Sequence, residues 1–93
     1  MSKVIWKFDL KPNEGDEMVA VVNMPVGAQV LTVQMQYGEP RLWALVDPNA
    51  PKADRRFQVV GTGHKFNPKP SAHYLGTFQM QSGAFVFHVF EVV

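Results

Sequence analysis

Apolar and polar residues alternate along most of the chain, beginning in the N-terminal segment. Trp6 and Phe8 fall on one face of an extended chain, whereas Lys7 and Asp9 fall on the other. A period of two residues is typical of a β-strand that buries one face against a core. The pattern therefore predicts a half-buried first strand, whose apolar face also carries Val4 and Leu10.

Six later segments carry the same kind of strand signal, because they are rich in β-branched and aromatic residues and are separated by turn residues. These segments are residues 18–22, 31–35, 42–46, 56–60, 74–81 and 85–90. Turns at Gly38 and at Ser82-Gly83 predict two β-hairpins. Together with the first strand, they predict a single β domain over residues 1–93. Its expected fold is all-β, a small antiparallel β-sandwich or barrel of about seven strands.

Prolines mark the connections between these strands, since proline lacks the N–H donor that a ladder needs. Residues 10–17 and 64–72 are predicted loops, the second containing Pro68 and Pro70. The connection after the fourth strand contains Pro48 and Pro51. A short helix within residues 48–56 remains an alternative for that stretch.

Two of the predicted strands are apolar on both faces, namely residues 18–22 and 42–46, the second of which contains Trp43. Such a strand is covered on both sides, either within the fold or by another subunit. Because a single sandwich covers only one face of each sheet, this pattern predicts a homodimer or a larger homo-oligomer.

Charge and composition narrow the classes of function. The formal net charge is only +1, so nucleic acid is not expected as a partner. There is no cysteine, which excludes disulfides and thiolate metal sites and favours an intracellular setting. The N-terminal segment has the pattern of neither a signal peptide nor a membrane span, so no membrane partner is expected. The acidic run Glu14, Asp16 and Glu17 is interpreted as a solvated loop.

Basic residues cluster between Lys52 and Lys69, around the glycine-containing run Gly61-Thr62-Gly63-His64. Glycines allow backbone N–H groups to approach an anion closely, and cations beside them can hold a phosphate or an acidic protein patch. A solvated face and ordinary turn glycines explain the same residues, and the run lacks the lysine and the helix of a Walker loop. The candidate ligand-binding residues are Arg55, Arg56, Gly61, Thr62, Gly63, His64, Lys65, Lys69 and His73.

No catalytic or metal-binding arrangement is evident. His64 and His73 bracket the proline loop and could converge with Asp47, but they show no metal-ligand spacing. His88 lies inside an apolar strand, where a satisfied or half-exposed strand histidine is the expected reading. The serines lie outside any nucleophile elbow. We therefore expect no enzyme activity, no metal and no cofactor.

Five runs resemble a family of small uncharacterised proteins encoded by bacteriophages and prophages. They are VIWKF at 4–8, MPVGA at 24–28, LWALVDP at 42–48, GTGH at 61–64 and VFHVFE at 86–91. The resemblance extends nearly from end to end. It implies a phage protein in the host bacterial cytoplasm and assigns no functional residue.

These observations favour a phage-encoded accessory binding protein, such as a host-takeover or anti-defence factor, that binds a host protein or a small anionic ligand. The alternative is a structural virion or assembly protein that forms homo-oligomers.

Overall fold

The computed structural model describes residues 2–13 and 18–93, which form seven β-strands. The strands are β1 (Val4–Asp9), β2 (Val19–Pro25), β3 (Gln29–Gln36), β4 (Glu39–Val46), β5 (Lys52–Gly61), β6 (His73–Met80) and β7 (Phe85–Val92). The structure contains no helix among the described residues, and therefore none that could span a membrane.

The strands form two antiparallel sheets that pack as a sandwich. Sheet A has the order β1-β4-β3, and sheet B has the order β2-β5-β7-β6. The two sheets approach each other where β3 packs on β6. Gly76 of β6 lies there against Val33 of β3, and a Cβ at Gly76 would be 3.5 Å from the Val33 Cβ. The sandwich is thus closed along one side.

The core lies between the inner faces of the sheets. It consists of aliphatic residues with two aromatic rings, and Phe57 is fully buried near its centre. On the strands, core residues occupy alternate positions, as in Ala20, Val22 and Met24 of β2. Each strand consequently also has an outer face, and the outer face of sheet B carries the candidate site.

The predicted all-β fold of about seven strands is confirmed, and so are both hairpins. In the first hairpin, Gln36 pairs with Glu39 across a two-residue turn. Tyr37 and Gly38 both have positive φ there, at 52° and 78°, which is the backbone that a tight turn between twisted strands requires. The second hairpin pairs Met80 with Phe85 across the Ser82-Gly83 turn.

The alternative of a short helix within residues 48–56 is wrong, since β5 begins at Lys52. Asp47 ends the preceding strand segment in a turn, where its carboxylate accepts the Asn49 N–H at 3.0 Å and its carbonyl accepts the Ala50 N–H at 3.1 Å. Pairing with β2 includes Lys52, which lies opposite Pro25, and the Val26 N–H donates to the Pro51 carbonyl at 2.8 Å just before β5. The acidic run Glu14, Asp16 and Glu17 lies outside the described residues.

Candidate anion-binding site

Strand β5 separates its two adjacent arginines onto opposite faces of sheet B, because successive side chains of a strand alternate. Arg55 shares the inner face with Phe57, where it forms two hydrogen bonds with the Glu91 carboxylate at 2.7 and 2.8 Å. It also donates to the Ala28 carbonyl oxygen. The hydrogen bonds to Glu91 raise the pKa of Arg55, against the opposing effect of partial burial. Arg55 therefore stabilises the fold by linking β5 to β7 and to the segment after β2.

A second cation of the predicted cluster is also engaged within the protein. The Lys52 ammonium lies 5.8 Å from the centre of the Trp6 ring, within the range of a cation–π contact. Of the five cations between residues 52 and 69, three remain: Arg56, Lys65 and Lys69.

These three cations line one cavity, which we call the basic cavity, on the outer face of sheet B. Its volume is about 510 Å³. The floor is formed by strand residues of β2, β5 and β7, and the wall is formed by the loop that connects β5 to β6. The lining residues are Val19, Arg56, Gln58, Lys65, Phe66, Asn67, Pro68, Lys69, Ala72 and Val92.

The connecting loop is attached to the sheet by specific contacts. The Phe66 ring packs on Phe90 of β7, with ring centres 4.7 Å apart. The Ser71 hydroxyl donates to the carbonyl of Val93, the residue after β7, at 3.2 Å. Within the loop, the Ala72 N–H donates to the Lys69 carbonyl at 2.9 Å. The loop that carries Lys65 and Lys69 consequently lies over the floor that contains Arg56.

The basic cavity has an excess of positive charge. Its lining contains three cations and no carboxylate, and the amides of Gln58 and Asn67 add neutral hydrogen-bonding groups. Among residues 2–13 and 18–93, no carboxylate lies within 4.0 Å of Arg56, Lys65 or Lys69. Guanidinium and ammonium groups in one concave site can hold a phosphate or a carboxylate through charge-assisted hydrogen bonds.

The remaining predicted site residues lie outside the lining of the basic cavity. Gly61 is buried at the end of β5, where the His64 ring covers it. Gly63 has a φ of +87°, as a turn glycine does. Thr62 N–H donates to the Val86 carbonyl at 3.0 Å. His73 is exposed at the start of β6.

Thr62 belongs to a hydrogen-bonded chain on the outer face of sheet B. The Tyr74 hydroxyl lies 2.6 Å from the Thr77 hydroxyl, which lies 2.9 Å from Nδ1 of His88. Nε2 of His88 lies 2.7 Å from the Thr62 hydroxyl, which in turn donates to the Val86 carbonyl at 3.2 Å. Both ring nitrogens are bonded, so the reading of His88 as a satisfied strand histidine is confirmed.

Sequence reasoning missed part of the lining. Gln58 lies two residues after Arg56 in one strand, so side-chain alternation alone places it on the same face. Val19 and Val92 come from strands whose neighbours depend on sheet order, which no local pattern specifies. In the described part of the chain, no group of three potential metal ligands is present.

A second cavity lies at one end of the sandwich and differs in chemistry. Its volume is about 600 Å³ and its lining is largely apolar, including Leu10, Val59 and Phe87. The lining reaches Asn13 and Met18, the residues on either side of the undescribed stretch 14–17. None of the predicted site residues contributes to it.

The fold and the basic cavity define the chain as a small all-β sandwich domain with a cationic surface site. It belongs to the family described as "Domain of unknown function (DUF7352)", whose model matches residues 1–93. The resemblance to an uncharacterised family is confirmed by this match, whereas the phage origin stays a prediction. No curated protein and no solved structure matches the chain.

Proposed function

We propose that this domain is a non-enzymatic binding domain that holds a small anionic ligand in the basic cavity. One observation supports the proposal most directly: Arg56, Lys65 and Lys69 line a single concave site without a carboxylate partner among the described residues. Cations that stabilise a fold are usually paired with acids, as Arg55 is with Glu91.

The chemistry of the lining favours an oxyanion. The guanidinium of Arg56 presents a planar fork of N–H donors that matches two oxygens of a phosphate or carboxylate. The two lysines add point charges from the loop that forms the wall, and Gln58 and Asn67 supply amide N–H groups. An acidic side chain on the surface of a host protein offers the same oxygens, so a host protein and a small ligand compete for one site under this proposal.

The biological setting in our proposal follows the sequence resemblance. A phage-encoded accessory protein in the host bacterial cytoplasm would act by capturing a host factor or a small anion, as a host-takeover or anti-defence factor does. The basic cavity supports such a role because its cations and amide groups can hold an anion. Small phage proteins without enzymatic motifs commonly act through binding, and this analogy supplies the setting alone.

The outer face of sheet A favours a second candidate function, a structural virion or assembly protein that forms homo-oligomers. Ile5 is 59% exposed there, and it pairs across the strands with Leu45. Trp43 lies on the same face, beside Lys7. A structural protein would remain with purified phage particles, whereas an accessory binding protein would be absent from them.

Calorimetric titration with three small anions tests the primary proposal. Inorganic phosphate, pyrophosphate and citrate present the candidate phosphate and carboxylate oxygens in three different arrangements. We expect the wild-type chain to bind at least one of them, with affinity that falls as salt concentration rises. Arg56→Ala and Lys65→Ala are each expected to weaken binding by about 1–3 kcal/mol.

Lys52→Ala is the matched control, since Lys52 belongs to the same basic segment but lies outside the basic cavity. It is expected to leave the affinity unchanged, and circular dichroism checks that all variants keep their strands. Absence of binding to all three anions, or salt-independent binding that neither variant affects, would remove the basic cavity as the site.

A further inference from the structure

We propose that the ligand of the basic cavity is a nucleoside phosphate, with its phosphate among the cations and its base stacked on Tyr74. This inference rests on the proposed function and adds a second contact site on the same face. The juxtaposition that carries it is a row of aromatic rings leading from the cavity to an exposed tyrosine.

The row begins inside the cavity and crosses the outer face of sheet B. Phe66 lines the cavity and packs on Phe90, with ring centres 4.7 Å apart. Phe90 in turn contacts Tyr74 edge-on, with ring centres 5.5 Å apart. Two successive ring contacts therefore join the cationic site to Tyr74, which lies beside Phe90 in the register of β6 and β7.

Tyr74 is exposed and also fixed in orientation. Its side chain belongs to a residue that is 59% exposed, yet its hydroxyl is 2.6 Å from the Thr77 hydroxyl and its ring contacts Phe90. The hydroxyl bond to Thr77, which is bonded onward to His88, and the ring contact with Phe90 together fix the orientation of the tyrosine. A surface aromatic that is already ordered loses little conformational entropy when a planar ligand stacks on it.

A nucleoside phosphate combines the two chemistries that this face offers. Bases stack on aromatic side chains whatever their identity, because every base has a π-face. A phosphate needs cations and amide donors, which the cavity supplies. A free nucleotide fits better than a nucleic-acid strand, because the three cations converge on one concave site instead of following a track and the net charge is only +1.

Titration with adenosine diphosphate, pyrophosphate, ribose 5-phosphate and adenosine tests the inference. We expect adenosine diphosphate to bind about tenfold or more tightly than pyrophosphate or ribose 5-phosphate, and adenosine to bind weakly. Tyr74→Leu is expected to remove that advantage while leaving pyrophosphate binding unchanged. Tyr74→Phe keeps the ring and is expected to retain the advantage.

The outcomes separate this inference from the proposed function. Equal affinities for adenosine diphosphate and pyrophosphate would contradict a nucleoside phosphate ligand, and so would a Tyr74→Leu variant that keeps the wild-type preference for adenosine diphosphate. Either result would still be consistent with an anion site. Loss of all anion binding would overturn both. A decanucleotide that binds far more tightly than the mononucleotide, with affinity increasing with strand length, would replace the free nucleotide by a single strand.

Discussion

Charged residues have ionic partners on the outer face of sheet A, whereas cations on the outer face of sheet B line a cavity. On sheet A, Arg41 forms ion pairs with both Asp9 and Glu39, and Lys7 donates to the Gln36 amide oxygen at 2.8 Å. On sheet B, Arg56 faces a cavity that also contains Lys65 and Lys69. Basic residues therefore pair with neighbouring strands on sheet A, whereas on sheet B they can bind a ligand.

Cross-strand register explains the difference. In sheet A, Asp9 of β1 lies directly opposite Arg41 of β4, so an acid and a base meet. In sheet B, the two cross-strand neighbours of Arg56 are Val21 of β2 and Val92 of β7. Opposite charges on facing positions stabilise a sheet, whereas valines give a guanidinium no ionic partner. The excess of cations in a sequence segment thus predicts poorly whether each cation has an ionic partner. The residue that lies opposite it on the neighbouring strand predicts this better.

The largest effect is expected at Arg55, which is adjacent to Arg56 in β5 but lies on the opposite face of sheet B. Arg55→Ala removes a partly buried ion pair and leaves Glu91 without its partner, so we expect a loss of about 2–3 kcal/mol in the free energy of unfolding. Arg56→Ala, one residue away on the outer face, is expected to change it by less than about 0.5 kcal/mol. Urea denaturation measures both, and equal losses would show that Arg56 also serves the fold.

An intermediate effect concerns self-association through the outer face of sheet A. If the chain forms the expected homo-oligomer there, Ile5→Glu buries a charge at the contact and is expected to weaken association about tenfold or more. Val26→Glu is the control, because Val26 is similarly exposed, at 55%, but lies in the turn after β2. Light scattering at high micromolar concentration measures the mass. A strictly monomeric wild-type chain would contradict the expected oligomer.

The smallest effect is expected at Asp9, the exposed partner of Arg41. Asp9→Ala is expected to lower the free energy of unfolding by only about 0.5 kcal/mol, because surface ion pairs contribute little and Glu39 remains beside Arg41. The difference from wild type is expected to shrink further at about 1 M salt, where screening limits the interaction between charges to about 3 Å. A loss as large as that of Arg55→Ala would mean that sheet A depends on its surface charges.

Local patterns predicted the strands well, because side-chain alternation and turn residues act within a few positions of the chain. All seven strands and both hairpins follow from such signals. Sheet membership does not, since β2 pairs with β5 and β1 with β4 across long stretches of sequence. The site shows the same limit: proximity in sequence grouped Arg55 with Arg56, and only the pairing of Arg55 with Glu91 reveals why they differ.

The strand order of sheet B has a consequence for the kinetics of folding. Strand β7 follows β6 in the chain but inserts between β5 and β6, so the connection from β5 to β6 must pass over it. The floor of the basic cavity is therefore complete only when β7 is paired with β5. Non-local closure of this kind is slow, because chain entropy is lost before the contacts form. Binding competence should then require the complete sheet B, and a ligand should shift the folding equilibrium by binding the native state.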